Sequence, residues 1–217
     1  MNRPVRVVLD VNILVGNIMA HDRGRRGTAT QTLVSMVAGQ TWGQAWGQTW
    51  GQTWGIGGKA QLVISLDMIE TLETVLRRLQ FADDKIKAYS GSMIDIMHYG
   101  PEALDPYLVL GGEERFAMPD AEDAGVLATA IAAKADLLVT DNLRDFATKD
   151  AEIIDTQVIE TTASGQRTLQ ALWYRIGGAD LIVAHPFDIM HWMRLGYDFT
   201  PEILWNALRT HGSGSVR

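Results

Sequence analysis

Four aspartates in this chain could together bind a divalent cation: Asp10, Asp123, Asp141 and Asp145. Asp10 directly follows the apolar run at residues 7–9, and Asp141 follows a second run at residues 137–140. In a parallel α/β sheet, the residues after the strand ends converge on one crevice. Carboxylates crowded there repel one another and lose hydration, and a bound cation offsets both effects. The pattern therefore predicts a hard-metal site on an α/β scaffold.

The elements that must position these acids alternate along the chain, which predicts a parallel sheet with right-handed crossovers. Apolar runs predict strands at residues 5–9, 61–65, 136–140, 158–160 (with 153–154) and 181–184. A helix or a loop is predicted at residues 12–20, and helical spacing predicts helices at residues 28–38, 66–79, 83–98, 121–134, 169–176, 187–195 and 201–209. Residues 100–118 are predicted to be mostly a connection.

Two helices have informative starts. Ser65 is the predicted N-cap of the helix after the second strand, whose core face is Ile69, Leu72, Leu76 and Leu79. The helix at residues 121–134 begins with Asp120, Glu122 and Asp123. Acids in a first turn also suit the helix dipole, so each of these has that ordinary explanation beside a functional one.

Composition restricts the class of protein. The chain has 217 residues, enough for one good core, and no apolar run approaches the ~20 residues that a membrane span requires. Residues 1–6 lead into a strand rather than into a signal-peptide core. The chain lacks cysteine, which excludes disulfides, thiolate chemistry and cysteine-based zinc sites. We expect a cytoplasmic protein without membrane partners.

The charge of the chain is acidic overall but locally basic. A net charge of −7 argues against wholesale coating of nucleic acid, although a bound cation would cancel some acids locally. Arg23, Arg25 and Arg26 lie in a glycine-containing loop after Asp10, and Arg144 lies between two of the aspartates. These arginines are candidates for phosphate binding, and a solvated surface is the equal alternative for the loop.

Residues 40–58 hold a tryptophan-glycine-glutamine repeat with a period of four, which places Trp42, Trp46, Trp50 and Trp54 in step. Aligned tryptophans could stack on unpaired bases or form a self-association patch. A glycine in every repeat disfavours a helix by ~1 kcal/mol each. We favour a repeat-expanded surface loop without a chemical role.

Two segments of the chain resemble motifs of the PIN-domain nucleases. The segment at residues 7–15 resembles the opening motif of that family. The segment at residues 120–146 resembles a later motif, in which an acid before a helix is followed by a strand that ends in a Thr-x-Asn/Asp-x-x-Asp-Phe element. The resemblance implies an α/β/α sandwich around a parallel sheet, with Mg²⁺ or Mn²⁺ bound by carboxylates. Asp10 would be the first acid and Asp123 the third, with Asp141 or Asp145 as the fourth. Supporting residues would be Asn12, Asp120, Thr140 and Asn142. For Thr140, its place at the end of a strand is the favoured explanation.

The second acid of the family departs from the pattern here. The family places it six residues after a serine, and counting from Ser65 leads to Thr71, which is not an acid. Glu70 is the neighbouring candidate and Glu73 lies further along the helix. We choose Glu70, with a surface glutamate as the alternative.

The implied domain organisation is a PIN-like domain at residues 1–163, an extension at residues 164–210 packed on the same domain, and a disordered tail at residues 211–217. The implied function is that of a divalent-metal-dependent endoribonuclease acting on RNA. Many members of the family are toxins inhibited by a small antitoxin protein, and we expect a homodimer.

Two rival functions are carried forward. Another metal-dependent phosphohydrolase would commonly need an aspartate where Asn12 stands, which disfavours it. A non-catalytic RNA- or protein-binding module on a degraded scaffold would explain Thr71. Other chemistries lack support, because the histidines show no zinc spacing and no nucleophile elbow or phosphate loop is found.

Overall fold

A computed structural model describes residues 3–45, 60–105, 118, 121–161, 165–176 and 178–212. Within these ranges, six strands form one sheet in the order β2-β1-β3-β6-β5-β4, flanked by seven helices. The strands are β1 (Val5–Leu9), β2 (Ala60–Val63), β3 (Leu137–Val139), β4 (Ala151–Thr161), β5 (Gly165–Ile176) and β6 (Ala179–Ala184). The helices are α1 (Val11–Asp22), α2 (Ala29–Ala45), α3 (Leu66–Arg78), α4 (Asp83–His98), α5 (Ala121–Ala132), α6 (Pro186–Arg194) and α7 (Pro201–Gly212). This architecture is the predicted α/β/α sandwich.

Four parallel strands, β2, β1, β3 and β6, form the half of the sheet that carries the acids. Leu9 pairs with Val139 and Val139 pairs with Ala184, so the ends of β1, β3 and β6 are level. We call this side of the sheet the carboxyl edge. These strands are mostly apolar because helices cover both faces of a parallel sheet.

The other half of the sheet corrects one prediction. Residues 169–176 were predicted to be helical, but they belong to β5, which pairs antiparallel with β4 on one side and β6 on the other. Hydrogen-bonded neighbours on both sides outweigh the local helical spacing, because tertiary context overrides weak propensity. The two short runs at residues 153–160 join into the single strand β4, with a register shift between Ile153 and Asp155.

The helices agree closely with the predicted positions. Ser65 is the N-cap of α3, and its side chain accepts a hydrogen bond from the Met68 backbone N–H. Three residues of the predicted core face of α3 are buried, but Leu79 is 45 % exposed because the helix ends at Arg78. Helix α7 continues to Gly212, beyond the predicted start of the tail, and residues 213–217 lie outside the described ranges.

The repeat begins inside α2. This helix is kinked at Gly39, whose φ of 67° is readily adopted only by glycine, and residues 40–45 continue as helix. The loop predicted for the rest of the repeat falls on residues 46–58, outside the described ranges, and stays a prediction. The division predicted at residue 163 falls between β4 and β5, which pair along their whole length, and it also stays a prediction. In the described part of the chain, none of the helices combines the length and apolar character that crossing a bilayer requires.

Candidate active site

A cavity of about 560 Å³ opens at the carboxyl edge, among the first turns of α1, α3 and α5. Helix α3 packs against both of the other helices, which closes the cavity on two sides. Four acids line the cavity: Asp10, Asp67, Glu122 and Asp123. Other lining residues are Val11, Asn12, Val15, Gly16, Met19, Met68, Thr71, Val75, Gly125, Val126 and Asn142. The helix N-termini surrounding the cavity favour negative charge there.

Asp10 lies at the base of the site and is only 4 % exposed. Its Oδ2 accepts hydrogen bonds from the Thr140 hydroxyl and the Asn12 amide, each at 2.6 Å. Burial raises the pKa of Asp10 above its ordinary value, and those hydrogen bonds act in the opposite direction. An ionised Asp10 is therefore held at a desolvation cost that a nearby cation would offset.

Asn12 and Thr140 connect the ends of β1 and β3. The Asn12 amide also donates to Thr140 Oγ1 at 3.3 Å, and Asn12 Oδ1 accepts from the Asp141 backbone N–H at 3.3 Å. Thr140 Oγ1 accepts from the Asn142 backbone N–H at 2.9 Å. The two predicted supporting residues thus fix the loop after β3 against Asp10.

Asp141 faces a histidine that the sequence reasoning set aside. Its side chain is half-exposed, and its Oδ1 lies 3.4 Å from Nε2 of His185, which is 3 % exposed. His185 is the N-cap of α6, and its Nδ1 accepts the Phe187 backbone N–H at 3.2 Å. Because Nδ1 is the acceptor, the neutral ring carries its hydrogen on Nε2, towards Asp141.

His185 could have been found from the sequence. The histidines were tested only for zinc spacing, whereas Asp10 and Asp141 were selected because they follow strand ends. Residues 181–184 were also predicted to be a strand, and His185 is the first residue after it. Applied to every strand, the same rule selects His185.

The remaining predicted acids differ in position. Asp123 lines the cavity together with Glu122, which is not among the predicted site residues. Asp120 lies outside the described residues. Asn142 lines the cavity, and its amide donates to Asp145 Oδ2, but neither Asp145 nor Asp141 is among the lining residues.

The structure does not place Glu70 in the cavity wall. Glu70 and Asp67 are both exposed, but Asp67 and Thr71 line the cavity and Glu70 does not. Residues four apart lie about 40° apart around a helix, whereas Glu70 is rotated by about 100° from position 71. Glu73 accepts hydrogen bonds from Ser90 and Arg77, both at 2.8 Å, and so connects α3 to α4.

None of the four arginine candidates lines the acidic cavity. Arg23, Arg25 and Arg26 are exposed at the far end of α1, and Arg144 is exposed in the turn after β3. Arg23 lines a second groove of about 400 Å³, which shares Met19 with the acidic cavity. Binding of phosphate by these arginines stays a prediction.

The donor chemistry of the cavity suits a hard cation, because carboxylate, amide and hydroxyl oxygens are the ligands that Mg²⁺ and Mn²⁺ prefer. Among the described residues, however, no three histidine, cysteine, aspartate or glutamate side chains are close enough to form a ready-made metal site. Mg²⁺ commonly keeps several waters and uses only one or two protein carboxylates. Asp10 and its neighbour Asp141 therefore fit a partly hydrated ion.

The parallel core, with acids grouped at its carboxyl edge, defines an α/β protein with a carboxylate-lined cavity. Comparison with family models gives a match to the PIN domain over residues 6–144, which is more than half of the chain. The chain therefore belongs to the PIN domain family. Comparisons with curated proteins and with solved structures gave no match. His185 lies beyond the matched residues, so the later part of the chain also contributes to this edge.

Proposed function

We propose that this protein is a divalent-metal-dependent endoribonuclease that cleaves RNA phosphodiester bonds in the acidic cavity. PIN domains are generally metal-dependent nucleases. The observation that supports the proposal most strongly is that Asp10 is buried at the carboxyl edge, beneath a cavity lined by further acids. A buried carboxylate near other acids destabilises the fold when no cation is present, and it becomes a metal ligand when a cation binds.

Each part of the site has a role in this proposal. Asp10 and Asp141 would hold Mg²⁺ or Mn²⁺, which supplies a more acidic bound water and stabilises charge on phosphoryl oxygens. Asn12 and Thr140 orient the Asp10 carboxylate through the two hydrogen bonds to Oδ2. Asp123 faces the same cavity from α5, where a carboxylate can accept the proton of the attacking water.

A protein partner is part of the proposal. Between the acids and Met19, the cavity wall is apolar, formed by Val15 of α1 and Val75 of α3. A small antitoxin-like protein could cover this strip with apolar side chains and block the acids. Co-purification of the chain with the product of a neighbouring gene, and loss of nuclease activity in that complex, would test this role.

The alternative is a non-catalytic binding module, which Thr71 favours because it stands where the family has an acid. The two functions differ in a direct assay. Purified protein is incubated with a mixed single-stranded RNA pool in Mn²⁺, in Mg²⁺ or in EDTA, and with small phosphate esters. We expect cleavage of RNA only, and only with metal. Binding of RNA without cleavage in any metal would favour the alternative.

Replacement of His185 by asparagine is predicted to weaken Mn²⁺ binding by about tenfold, a typical effect of losing a partner that orients a ligand. Asparagine can still accept the Phe187 N–H as an N-cap, but it does not reach Asp141. Glutamine at this position is the matched control, because it can reach Asp141 but caps poorly. Calorimetric titration with Mn²⁺ and a thermal melt of each variant separate the two roles. If the asparagine variant binds Mn²⁺ as the wild type does, His185 has no positioning role.

A further inference from the structure

Helix α3 poses a problem for the proposed function, because Thr71 occupies the position of the family's second acid. A hydroxyl can accept a hydrogen bond from a water but does not supply the charge that a carboxylate gives to a cation. Either the site works with one carboxylate fewer, or another residue of α3 supplies it.

One stripe of α3 faces the cavity. Asp67, Thr71 and Val75 line it at intervals of four residues, and Met68 joins them. Glu70 and Glu73 lie off this stripe, the first exposed and the second bonded to Ser90 and Arg77. Within α3, Asp67 is therefore the acid that lines the cavity.

The height of Asp67 also fits the site. Asp67 is the second residue after the N-cap Ser65, close to the end of β2, whereas Thr71 lies about 6 Å further along the helix axis. Asp10 is itself the N-cap of α1, directly after β1. The short side chain of an aspartate one turn nearer the carboxyl edge can thus bind the cation in place of the longer glutamate side chain that the family has at position 71.

We propose that Asp67 supplies the α3 carboxylate of the metal site, in place of an acid at position 71. This inference rests on the proposed metal-dependent function. The proposed ligand differs from the family's second acid in its position in the sequence, in being an aspartate rather than a glutamate, and in lying one turn earlier in the helix. A purely structural role for Asp67 also exists, because an acid in a first turn stabilises its helix. The experiment must distinguish metal binding from helix stabilisation.

The test uses three variants of the full chain and titration with Mn²⁺ alone by calorimetry. Asp67→Asn removes a charge from the cavity stripe, and Glu70→Gln removes the same charge from an exposed position of the same helix that does not line the cavity. The double variant Asp67→Asn/Thr71→Glu returns a carboxylate to the family position. A thermal melt without metal monitors the helix.

We expect Asp67→Asn to raise the Kd for Mn²⁺ by at least about tenfold, since even the loss of an orienting partner has that effect. Glu70→Gln should leave the Kd within about twofold of wild type, and the double variant should recover most of the lost affinity, because its carboxylate faces the same cavity. RNA cleavage should follow the same order.

An unchanged Mn²⁺ affinity in Asp67→Asn, with a lower melting temperature without metal, would show that Asp67 only stabilises the helix and would overturn the inference. A double variant as weak as Asp67→Asn would overturn the exchange between positions 67 and 71. If Asp10→Asn lowers Mn²⁺ affinity and Asp67→Asn does not, the proposed function stands and this inference fails. A wild-type chain that binds no Mn²⁺ would overturn both.

Discussion

Replacing Asp10 with asparagine is expected to reduce RNA cleavage to the level measured without metal, while the chain stays folded. Asparagine has nearly the shape of aspartate, and its oxygen can accept from Thr140 or Asn12, but it lacks the charge that attracts the cation. Without metal, the variant should be at least as stable as the wild type, because a neutral side chain avoids both burial of charge and repulsion by Asp141.

The measurement pairs cleavage of an RNA pool with thermal melts in the presence and absence of Mn²⁺. A ligand at 100 times its Kd stabilises the native state by about 2.7 kcal/mol, so the wild type should gain stability from Mn²⁺ and the variant should not. Asp95→Asn, on the exposed side of α4, is the matched control. Undiminished cleavage by the Asp10 variant would refute the mechanism, and an unfolded variant would mean that Asp10 is structural.

Replacing Asp188 with asparagine is expected to stabilise the protein at pH 8 and to have little effect near pH 4. Asp188 is 1 % exposed in the first turn of α6, where it accepts the His185 backbone N–H at 3.0 Å. Burial raises the pKa of Asp188 from 3.8 to about 7, the nearby charge of Asp155 adds to this, and the hydrogen bond from His185 opposes it. The folded chain therefore resists loss of this proton.

The sign of the pH dependence follows from proton binding in the two states. Between pH 3.8 and about 7 the unfolded chain has released the proton and the folded chain keeps it, so stability falls as pH rises through this window and then levels off. Each unit of pKa corresponds to about 1.4 kcal/mol, which bounds the effect at roughly 4 kcal/mol. The asparagine oxygen can still accept the His185 N–H, so the cap survives the exchange.

Urea unfolding of wild type and Asp188→Asn at pH 4, 6 and 8 tests this expectation. The difference between the two free energies of unfolding isolates Asp188 from the other titrating groups, and Asp95→Asn shows the effect of an exposed aspartate. A variant that is less stable than wild type at pH 8 would show that the negative charge of Asp188 favours the fold.

The parallel half of the fold and the positions of Asp10 and Asp123 follow from local pattern. Short apolar runs give the parallel strands, and the acids directly follow a strand or begin a helix, so the topology brings them to one edge. The β4–β5 hairpin cannot be predicted from local pattern. Leu169, Leu172 and Ile176 have helical spacing, and only pairing with residues far along the chain makes them a strand. Pairing with residues distant in the sequence produces no periodic pattern of apolar residues from which the strand could be predicted.

The prediction of Glu70 has a different basis. Glu70 is adjacent to position 71 in the sequence, whereas a helix presents residues to a cavity by rotation. By that criterion, position 67 is a closer neighbour of position 71 than position 70 is. Sequence distance therefore selected Glu70, which does not line the cavity, whereas helical rotation selects Asp67, which does.

The order of strands in the sheet also determines when during synthesis the carboxyl edge can form. Strand β6 lies between β3 and β5, although it is made after both. A nascent chain that has emerged only as far as β5 holds the hairpin without the strand that joins it to β1 and β3. The edge that carries Asp10, Asp141 and His185 is therefore completed only after residue 185 has left the ribosome. Under the proposed function, this order leaves the active edge incomplete while residues 1–184 are being translated.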